Sequence, residues 1–231
     1  MIALKNVTKV YPGGTRAVDD VSLVAEEGEI TGLIGTSGSG KTTTLKMINR
    51  LIEPTSGEIF MNGEPITENN PVLLRRNVGY VIQSVGLFPH MTIQKNLETV
   101  PRLLEWDEEK ISKRCTELMN LIGLDPEEYL QKYPAQLSGG QQQRIGLARA
   151  IAADPPVVLL DEPFGALDPI TRTKLIDEFK ELQNHIRKTM IMVTHNVEEA
   201  FDLCDKICLM DQGRLQQEGR PEELLFRPAN H

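Results

Sequence analysis

The sequence predicts an α/β protein with a parallel sheet at its centre. Short, fully apolar stretches at residues 157–160 and 190–193 are typical of strands buried inside such a sheet. They alternate with longer segments, such as residues 175–186, whose apolar side chains recur at helical spacing. Alternation of this kind favours a sheet covered by helices.

Length and composition narrow the class further. A chain of 231 residues with 40% hydrophobic and 25% charged residues is typical of one globular domain. The formal net charge of −8 disfavours a protein that coats nucleic acid. The three cysteines, Cys115, Cys204 and Cys208, are predicted to be free thiols of a reducing compartment. No histidine or further cysteine completes a zinc spacing around Cys204 and Cys208.

The sequence contains no recognisable signal peptide or membrane span. Its start lacks a charged segment followed by a long apolar one. The longest apolar runs are far short of the roughly 18 residues that a spanning helix needs. If the protein works at a membrane, another chain must cross it.

The first third of the chain predicts short strands around one helix. Apolar stretches flank the turn at residues 11–15, and Ile30–Ile34 is a short strand followed by a glycine-rich loop. A helix is expected to begin near Lys41, and residues 57–82 return to a strand-like pattern.

The rest of the sequence, from about residue 84 onward, predicts a helical insertion and then further strand–helix units. Residues 107–153 are expected to be helical, with Asp107 as an N-cap, and the inserted subdomain spans about 84–153. Asp168 followed by proline opens another helix. Asn196 and Glu199 predict a capping box, and residues 211–213 a hairpin turn.

The strongest functional signal lies between the strand Ile30–Ile34 and the next helix. It fits G-x-x-x-x-G-K-[ST] completely: Gly35, Thr36, Ser37, Gly38, Ser39, Gly40, Lys41 and Thr42. Glycines let backbone N–H groups wrap a phosphate, and the helix N-terminus adds positive potential. Lys41 would reach the β- and γ-phosphates, while the Thr42 hydroxyl would ligate Mg²⁺. An ordinary glycine-rich turn is the alternative, and the strand–loop–helix context disfavours it.

Two acidic residues end the apolar strand at 157–160. Asp161 is placed to hold Mg²⁺ directly or through water, and Glu162 could orient and deprotonate an attacking water. Two solvated carboxylates at a strand end are the alternative.

A second candidate anion site opens a later helix. Its residues are Leu137, Ser138, Gly139, Gly140 and Gln141. A serine and two glycines at a helix start can bind an anion, although a capped helix alone would use the same residues.

In this order the motifs resemble the nucleotide-binding domain of ABC transporters, and the likeness spans nearly the whole chain. It implies a RecA-like P-loop NTPase core with an antiparallel β subdomain and the helical insertion. It also implies that residues 137–141 are the signature sequence, which binds the ATP held by a second copy of the chain.

The resemblance assigns roles residue by residue. Catalysis would involve Glu162, His195 and Lys41, and Mg²⁺ would be held by Thr42, Gln83 and Asp161. The ATP-binding set would comprise Tyr11, Val18, Gly35, Thr36, Ser37, Gly38, Ser39, Gly40, Lys41, Thr42, Thr43 and Gln83. Ala166, Leu167 and Asp168 would form the D-loop. By themselves, Tyr11 would be an ordinary surface tyrosine, His195 a solvated histidine and Asp168 a helix cap.

A finer resemblance concerns residues 83–92 and 165–172, which are similar to importers of glycine betaine, carnitine and choline. It implies a permease partner, a separate solute-binding protein, and a peripheral position on the cytoplasmic face of the plasma membrane. Relatives in that group often carry a regulatory CBS module after the ATPase domain. Residues 1–231 contain none, which fits either a short form of the protein or one part of a longer protein. Alternatives are an importer of amino acids or another small solute, an exporter ATPase, and a non-transport ABC ATPase.

Overall fold

A computed structural model of the protein describes residues 1–165 and 167–227. Its strands are β1 (Ile2–Val10), β2 (Arg16–Ala25), β3 (Ile30–Ile34), β4 (Ser56–Met61), β5 (Glu64–Pro65), β6 (Val78–Val81), β7 (Val157–Asp161), β8 (Thr189–Thr194), β9 (Lys206–Asp211) and β10 (Arg214–Gly219). Its α-helices are α1 (Lys41–Ile48), α2 (Pro71–Arg76), α3 (Ile93–Leu103), α4 (Glu108–Leu121), α5 (Pro126–Tyr129), α6 (Gly139–Ala150), α7 (Pro169–Ile186), α8 (Val197–Leu203) and α9 (Pro221–Phe226).

The chain folds as two units. The first contains Met1–Arg75, Leu159–Glu162 and the chain from Arg187 onward, and the second contains Arg76–Val158 and Pro163–Ile186. The helical insertion predicted over about 84–153 lies within the second unit, which also takes in β6 and α7.

The first unit carries a four-stranded sheet in the order β2-β1-β4-β5. All of its pairs are antiparallel, with Ile2 opposite Ala25 on one side and Met61 on the other. The side chains of Ile2, Ala25 and Ile59 are almost fully buried. The predicted antiparallel β subdomain is therefore confirmed.

The first unit also carries most of the parallel sheet, in the order β10-β9-β3-β8-β7. Strand β3 pairs in parallel with β8 and with β9, and β10 closes an antiparallel hairpin on β9. Every residue of β3, β7 and β8 is buried, as the continuous apolar runs predicted. Because parallel strands end at one edge, the residues that follow β3 and β8 lie close together there.

The second unit is mainly helical and also contains β6. The predicted stripe on α4 is confirmed, since Ile111, Cys115, Leu118 and Met119 are buried. Its predicted N-cap is confirmed as well: the Asp107 carboxylate accepts a hydrogen bond of 2.7 Å from the Lys110 N–H.

Two local predictions need correction. The strand-like pattern expected over 57–82 contains helix α2, which begins at Pro71 because the Asn70 side chain accepts from the Val72 N–H at 2.8 Å. The predicted capping box of Asn196 and Glu199 is incomplete, because only the Asn196 side chain makes its capping hydrogen bond. Asn196 caps α8 as predicted, but the Glu199 carboxylate accepts from the Thr194 hydroxyl at 2.7 Å, and the Asn196 N–H donates to that same hydroxyl oxygen.

Candidate functional site

The glycine-rich loop joins β3 to α1 within the first unit, and two of its glycines are sterically required. Gly35 has φ 151° and Gly40 has φ 102°. A Cβ added at Gly35 would overlap the Met210 carbonyl oxygen, and one at Gly40 would overlap that of Ala17. Gly38, with φ 80°, faces open space instead. The loop backbone is thus packed closely on one side and open where a ligand could approach.

Lys41 folds its side chain back over this loop. Its Nζ donates to the carbonyl oxygens of Gly35 at 2.9 Å and Thr36 at 2.8 Å, and to Ser39 Oγ at 3.3 Å. Burial lowers the pKa of Lys41, and the nearby carboxylates of Glu162 and Asp161 oppose that shift. The Lys41 amino group is therefore held over the loop by two backbone carbonyls, and its role in phosphate binding stays a prediction.

Thr42 and Asp161 supply a pair of oxygen donors beside the loop. Thr42 Oγ1 donates to Asp161 Oδ1 at 3.0 Å, although the two residues are 119 positions apart in the sequence. Asp161 is 7% exposed. A hydroxyl and a carboxylate held this close fit a hard divalent cation such as Mg²⁺, which prefers oxygen ligands.

Glu162 and His195 form the second pair at this edge of the sheet. Glu162 has φ 48°, unusual for a residue with a Cβ, and its N–H donates to the Val193 carbonyl at 2.9 Å. Its Oε2 lies 3.3 Å from His195 Nδ1. The Glu162 side chain is 20% exposed and the His195 side chain 61% exposed. A carboxylate and an imidazole in this arrangement can orient a water and accept its proton.

Three further residues of this unit were assigned to ATP by the resemblance: Tyr11, Val18 and Thr43. Tyr11 is at the β1–β2 turn, 36% exposed, with Lys9 Nζ 5.4 Å from its ring centroid. Val18 is fully buried, and Thr43 is half-buried on α1. Tyr11 is therefore accessible to a planar ring, while Val18 packs behind the loop. Their contacts with a nucleotide stay predictions.

Gln83 lies in the second unit, at the start of an exposed loop. The loop is anchored by Arg149, whose Nη1 donates to the Gly86 carbonyl at 2.7 Å and whose Nη2 donates to that of Val85 at 3.1 Å. Buried Asn96 accepts from the Phe88 N–H at 2.8 Å and donates back to its carbonyl at 3.2 Å. Burial lowers the pKa of Arg149. This loop is consequently held by two side chains that the sequence did not single out.

The residues of the predicted second anion site lie at the N-terminus of α6. Ser138 Oγ accepts from the Gln141 N–H at 3.3 Å, and Gln141 Oε1 accepts from the Ser138 N–H at 2.9 Å, which is a complete capping box. Gln141 Nε2 also donates to the Tyr129 hydroxyl at 3.1 Å. Ser138, Gly140 and Gln141 line an open pocket together with the start of α7.

The two residues that flank Ser138 differ in their exposure to solvent. Leu137 is 7% exposed and Gly139 is exposed. An added Cβ at Gly140 would lie 2.8 Å from Thr171 Cγ2 on α7, so the two helix starts are closely packed.

Of the predicted D-loop, Ala166 lies outside the described residues. Leu167 is half-buried, and Asp168 caps α7 by accepting from the Thr171 N–H at 3.1 Å. Hydrogen bonds from Thr171 hold the pKa of Asp168 below its ordinary value. The prediction that Asp168 caps this helix is confirmed, and its role as a D-loop residue stays a prediction.

Over the described ranges 1–165 and 167–227, no helix has both the length and the apolar character needed to cross a membrane. The same residues contain no cluster of histidine, cysteine and acidic side chains that would bind a metal by themselves. The predicted free thiols are confirmed: Cys115, Cys204 and Cys208 are buried and unpaired.

The fold and the loop geometry define a P-loop nucleotide-binding protein, with an α/β core, an antiparallel β sheet and a helical insertion. The chain belongs to the ABC transporter family, whose sequence profile matches residues 18–165. The solved dimeric structure of a post-hydrolysis state of the ATP-binding cassette MJ0796, bound to ADP and Pi, matches with a TM-score of 0.83 at 35% identity. That match covers 96% of this chain and 99% of the other.

Two curated relatives match over the full length of this chain. The glycine betaine/carnitine/choline transport ATP-binding protein OpuCA of Bacillus subtilis (strain 168) is 57% identical, and 60% of its length is covered. The osmoprotectant import ATP-binding protein OsmV of Salmonella typhimurium (strain LT2) is 53% identical, and 61% of its length is covered. The chain thus spans about 60% of the length of these relatives.

Proposed function

We propose that this chain binds and hydrolyses ATP as the motor subunit of an ABC importer for quaternary ammonium osmoprotectants such as glycine betaine, carnitine or choline. The observation that carries the ATPase proposal is the pairing of Thr42 with Asp161 and of Glu162 with His195 around one glycine-rich loop. The solute class is supported by the names of the two relatives.

The chemistry of this site is positioning and electrostatic stabilisation. Lys41 and the loop N–H groups would bind the phosphates and stabilise the charge that develops on them. Thr42 and Asp161, with Gln83, would hold Mg²⁺, which when bound neutralises phosphate charge. Glu162 would accept a proton from the attacking water, and His195 would hold the carboxylate and the water in line.

Two copies of the chain would complete two sites. The phosphate loop lies in the first unit and the Ser138 helix start in the second. Each phosphate loop would face the Ser138 helix of the other copy, with the γ-phosphate of one ATP between them. The γ-phosphate of the ATP held by the other copy would also be surrounded by Leu137, Gly139, Gly140 and Gln141. The D-loop, Ala166 to Asp168, would line the contact between the copies.

The remaining partners would be a transmembrane permease and, through it, a solute-binding protein. The chain would sit on the cytoplasmic face of the plasma membrane as a peripheral subunit. Its net charge of −8 argues against a nucleic-acid partner.

The test is solute-stimulated ATPase activity in the reconstituted transporter. Vesicles containing this chain, its permease and its binding protein are assayed with glycine betaine, carnitine, choline, an amino acid and a sugar. Stimulation by the three quaternary ammonium compounds is expected. Stimulation by the amino acid or the sugar instead would assign another importer. ATPase activity without any association with a permease would favour a non-transport ABC ATPase.

A further inference from the structure

The phosphate loop is backed by the turn between β9 and β10. The Gly213 N–H donates to the Ser39 carbonyl at 3.1 Å, and the Asp19 N–H donates to the Gly213 carbonyl at 2.8 Å. Gly213 thus lies between the loop and β2 and is hydrogen-bonded to both. All of these residues belong to the first unit.

The three backbones at this place approach each other without side chains between them. A Cβ added at Gly40 would overlap the Ala17 carbonyl oxygen, and one added at Gly213 would lie 3.0 Å from that oxygen. Contacts this close transmit displacement, because protein interiors are densely packed and little compressible. A shift of the turn relative to β2 would therefore move the backbone of Ser39 and Gly40.

The Asp19 carboxylate ties these segments together. Its Oδ2 accepts from Arg214 Nε at 2.7 Å and from Arg214 Nη2 at 2.6 Å, and its Oδ1 accepts from Arg16 Nη1 at 2.6 Å. The Asp19 side chain is 11% exposed, whereas those of Arg16 and Arg214 are 57% and 65% exposed. This mostly buried carboxylate therefore joins β2 to β10 through its two charge-assisted bonds from Arg214, while its bond from Arg16 lies within β2.

We propose that Asp19 and Arg214 are positioning residues for nucleotide phosphate binding. They hold the Gly213 turn against Ser39 and Gly40, and so fix the loop backbone whose N–H groups would meet the phosphates. Neither side chain touches the nucleotide in this account. The proposal rests on the proposed function, in which the loop binds ATP.

A direct role of Arg214 as a phosphate-binding cation is the main competing explanation. Lysine at this position keeps the positive charge but cannot make two bonds to Asp19 Oδ2 in the geometry of a guanidinium. Arg214→Lys therefore weakens nucleotide binding if Arg214 acts through Asp19, and leaves it intact if charge alone matters.

The experiment compares Asp19→Asn and Arg214→Lys with a matched control on the same hairpin. Glu218→Gln removes the ion pair with Lys206, of 2.9 Å, which joins β9 to β10 away from the phosphate loop. Affinities for ATP and ADP are measured by titration calorimetry, stability by urea unfolding, and the mobility of residues 35–42 by amide hydrogen exchange.

Both variants are expected to bind ATP and ADP about tenfold more weakly, as typical for loss of a supporting contact behind a site. Amide hydrogen exchange in residues 35–42 should be faster in both variants than in the wild type. The double variant should bind ATP no more weakly than either single variant. Glu218→Gln should match the wild type in affinity and in exchange. If Asp19→Asn does not fold, Arg214→Lys decides alone.

Wild-type affinity in Arg214→Lys, or a loss of binding that only follows the fraction of unfolded protein, would overturn the proposal. Equal losses in Glu218→Gln would overturn it too, because the effect would then belong to the hairpin as a whole. A wild-type chain that binds no ATP would instead refute the proposed function.

Discussion

Glu162 Oε2 lies 3.3 Å from His195 Nδ1, at the ends of two neighbouring buried strands. The Glu162 backbone adopts a left-handed conformation with φ 48°, and its N–H donates to the Val193 carbonyl at 2.9 Å. Such conformations cost about 1 kcal/mol or more and concentrate at functional sites. The pair is therefore the best candidate for handling the water that attacks ATP.

Lys41 is expected to be essential for nucleotide affinity. Lys41→Ala removes a charge-assisted contact worth about 1.5–3 kcal/mol, so ATP should bind at least about tenfold more weakly while the fold is retained. The measurement is calorimetric titration with ATP. Lys46→Ala, on the exposed face of the same helix α1, is the control and should bind as the wild type does. Equal affinity in Lys41→Ala would refute the assignment of the phosphate loop.

The loop glycines should separate into structural and ligand-facing positions. Gly38→Ala meets open space and should cost only the roughly 1–2 kcal/mol of a left-handed alanine. Gly35→Ala overlaps the Met210 carbonyl and should reduce the free energy of unfolding by more than about 3 kcal/mol. Urea unfolding measures both. Equal stability of the two variants would contradict the described packing of the loop.

The loop after Gln83 is expected to contact the permease. Leu87 is half-buried, Phe88 is 38% exposed, and Arg149 holds the preceding carbonyls in place. Leu87→Cys and Phe88→Cys should each crosslink to the permease in the assembled transporter. Leu225→Cys, on α9 and 62% exposed, serves as the control. Crosslinks from Leu225→Cys but from neither loop position would reject this docking site.

The native thiols should be inert, which also keeps such crosslinking experiments free of background. Burial raises the pKa of Cys115 and of Cys208 to about 12, and it raises the pKa of Cys204 as well. Because an ordinary thiol has a pKa of about 8.5, stability from these groups is present below that pH and lost as the pH rises towards 12.

A thiol reagent at pH 8 should therefore modify none of the three cysteines in the folded protein and all three in urea. Stoichiometric modification of any one of them without denaturant would show that its site opens readily.

The parts of the candidate site whose signals are local could be predicted from the sequence. The phosphate loop, its flanking strand and helix, and the acidic end of β7 lie within short stretches where glycine spacing and apolar runs determine the structure. Helix α2 was missed because two exposed apolar residues, Val72 and Leu73, interrupted a helical pattern of only six residues. Its start was nevertheless encoded in Asn70 and Pro71.

The supporting contacts could not be predicted because they join distant segments. Asp19 and Arg214 are 195 positions apart, and Arg149 contacts Gly86 across 63 positions. No periodicity or motif links such residues. Their pairing follows only from the sheet order and from the way that α6 packs within the second unit.

We propose that two copies of this chain enclose ATP, and that Glu162 is needed to hydrolyse it. Glu162→Gln keeps the shape and hydrogen bonding of the side chain but removes the proton acceptor, so this variant should retain ATP and accumulate as a dimer. Light scattering with and without ATP measures the mass. The mass should double with ATP and return to that of a monomer when Ser138→Arg is added, because the larger side chain would fill the γ-phosphate site. A Glu162→Gln chain that binds ATP but stays monomeric at high concentration would contradict this account.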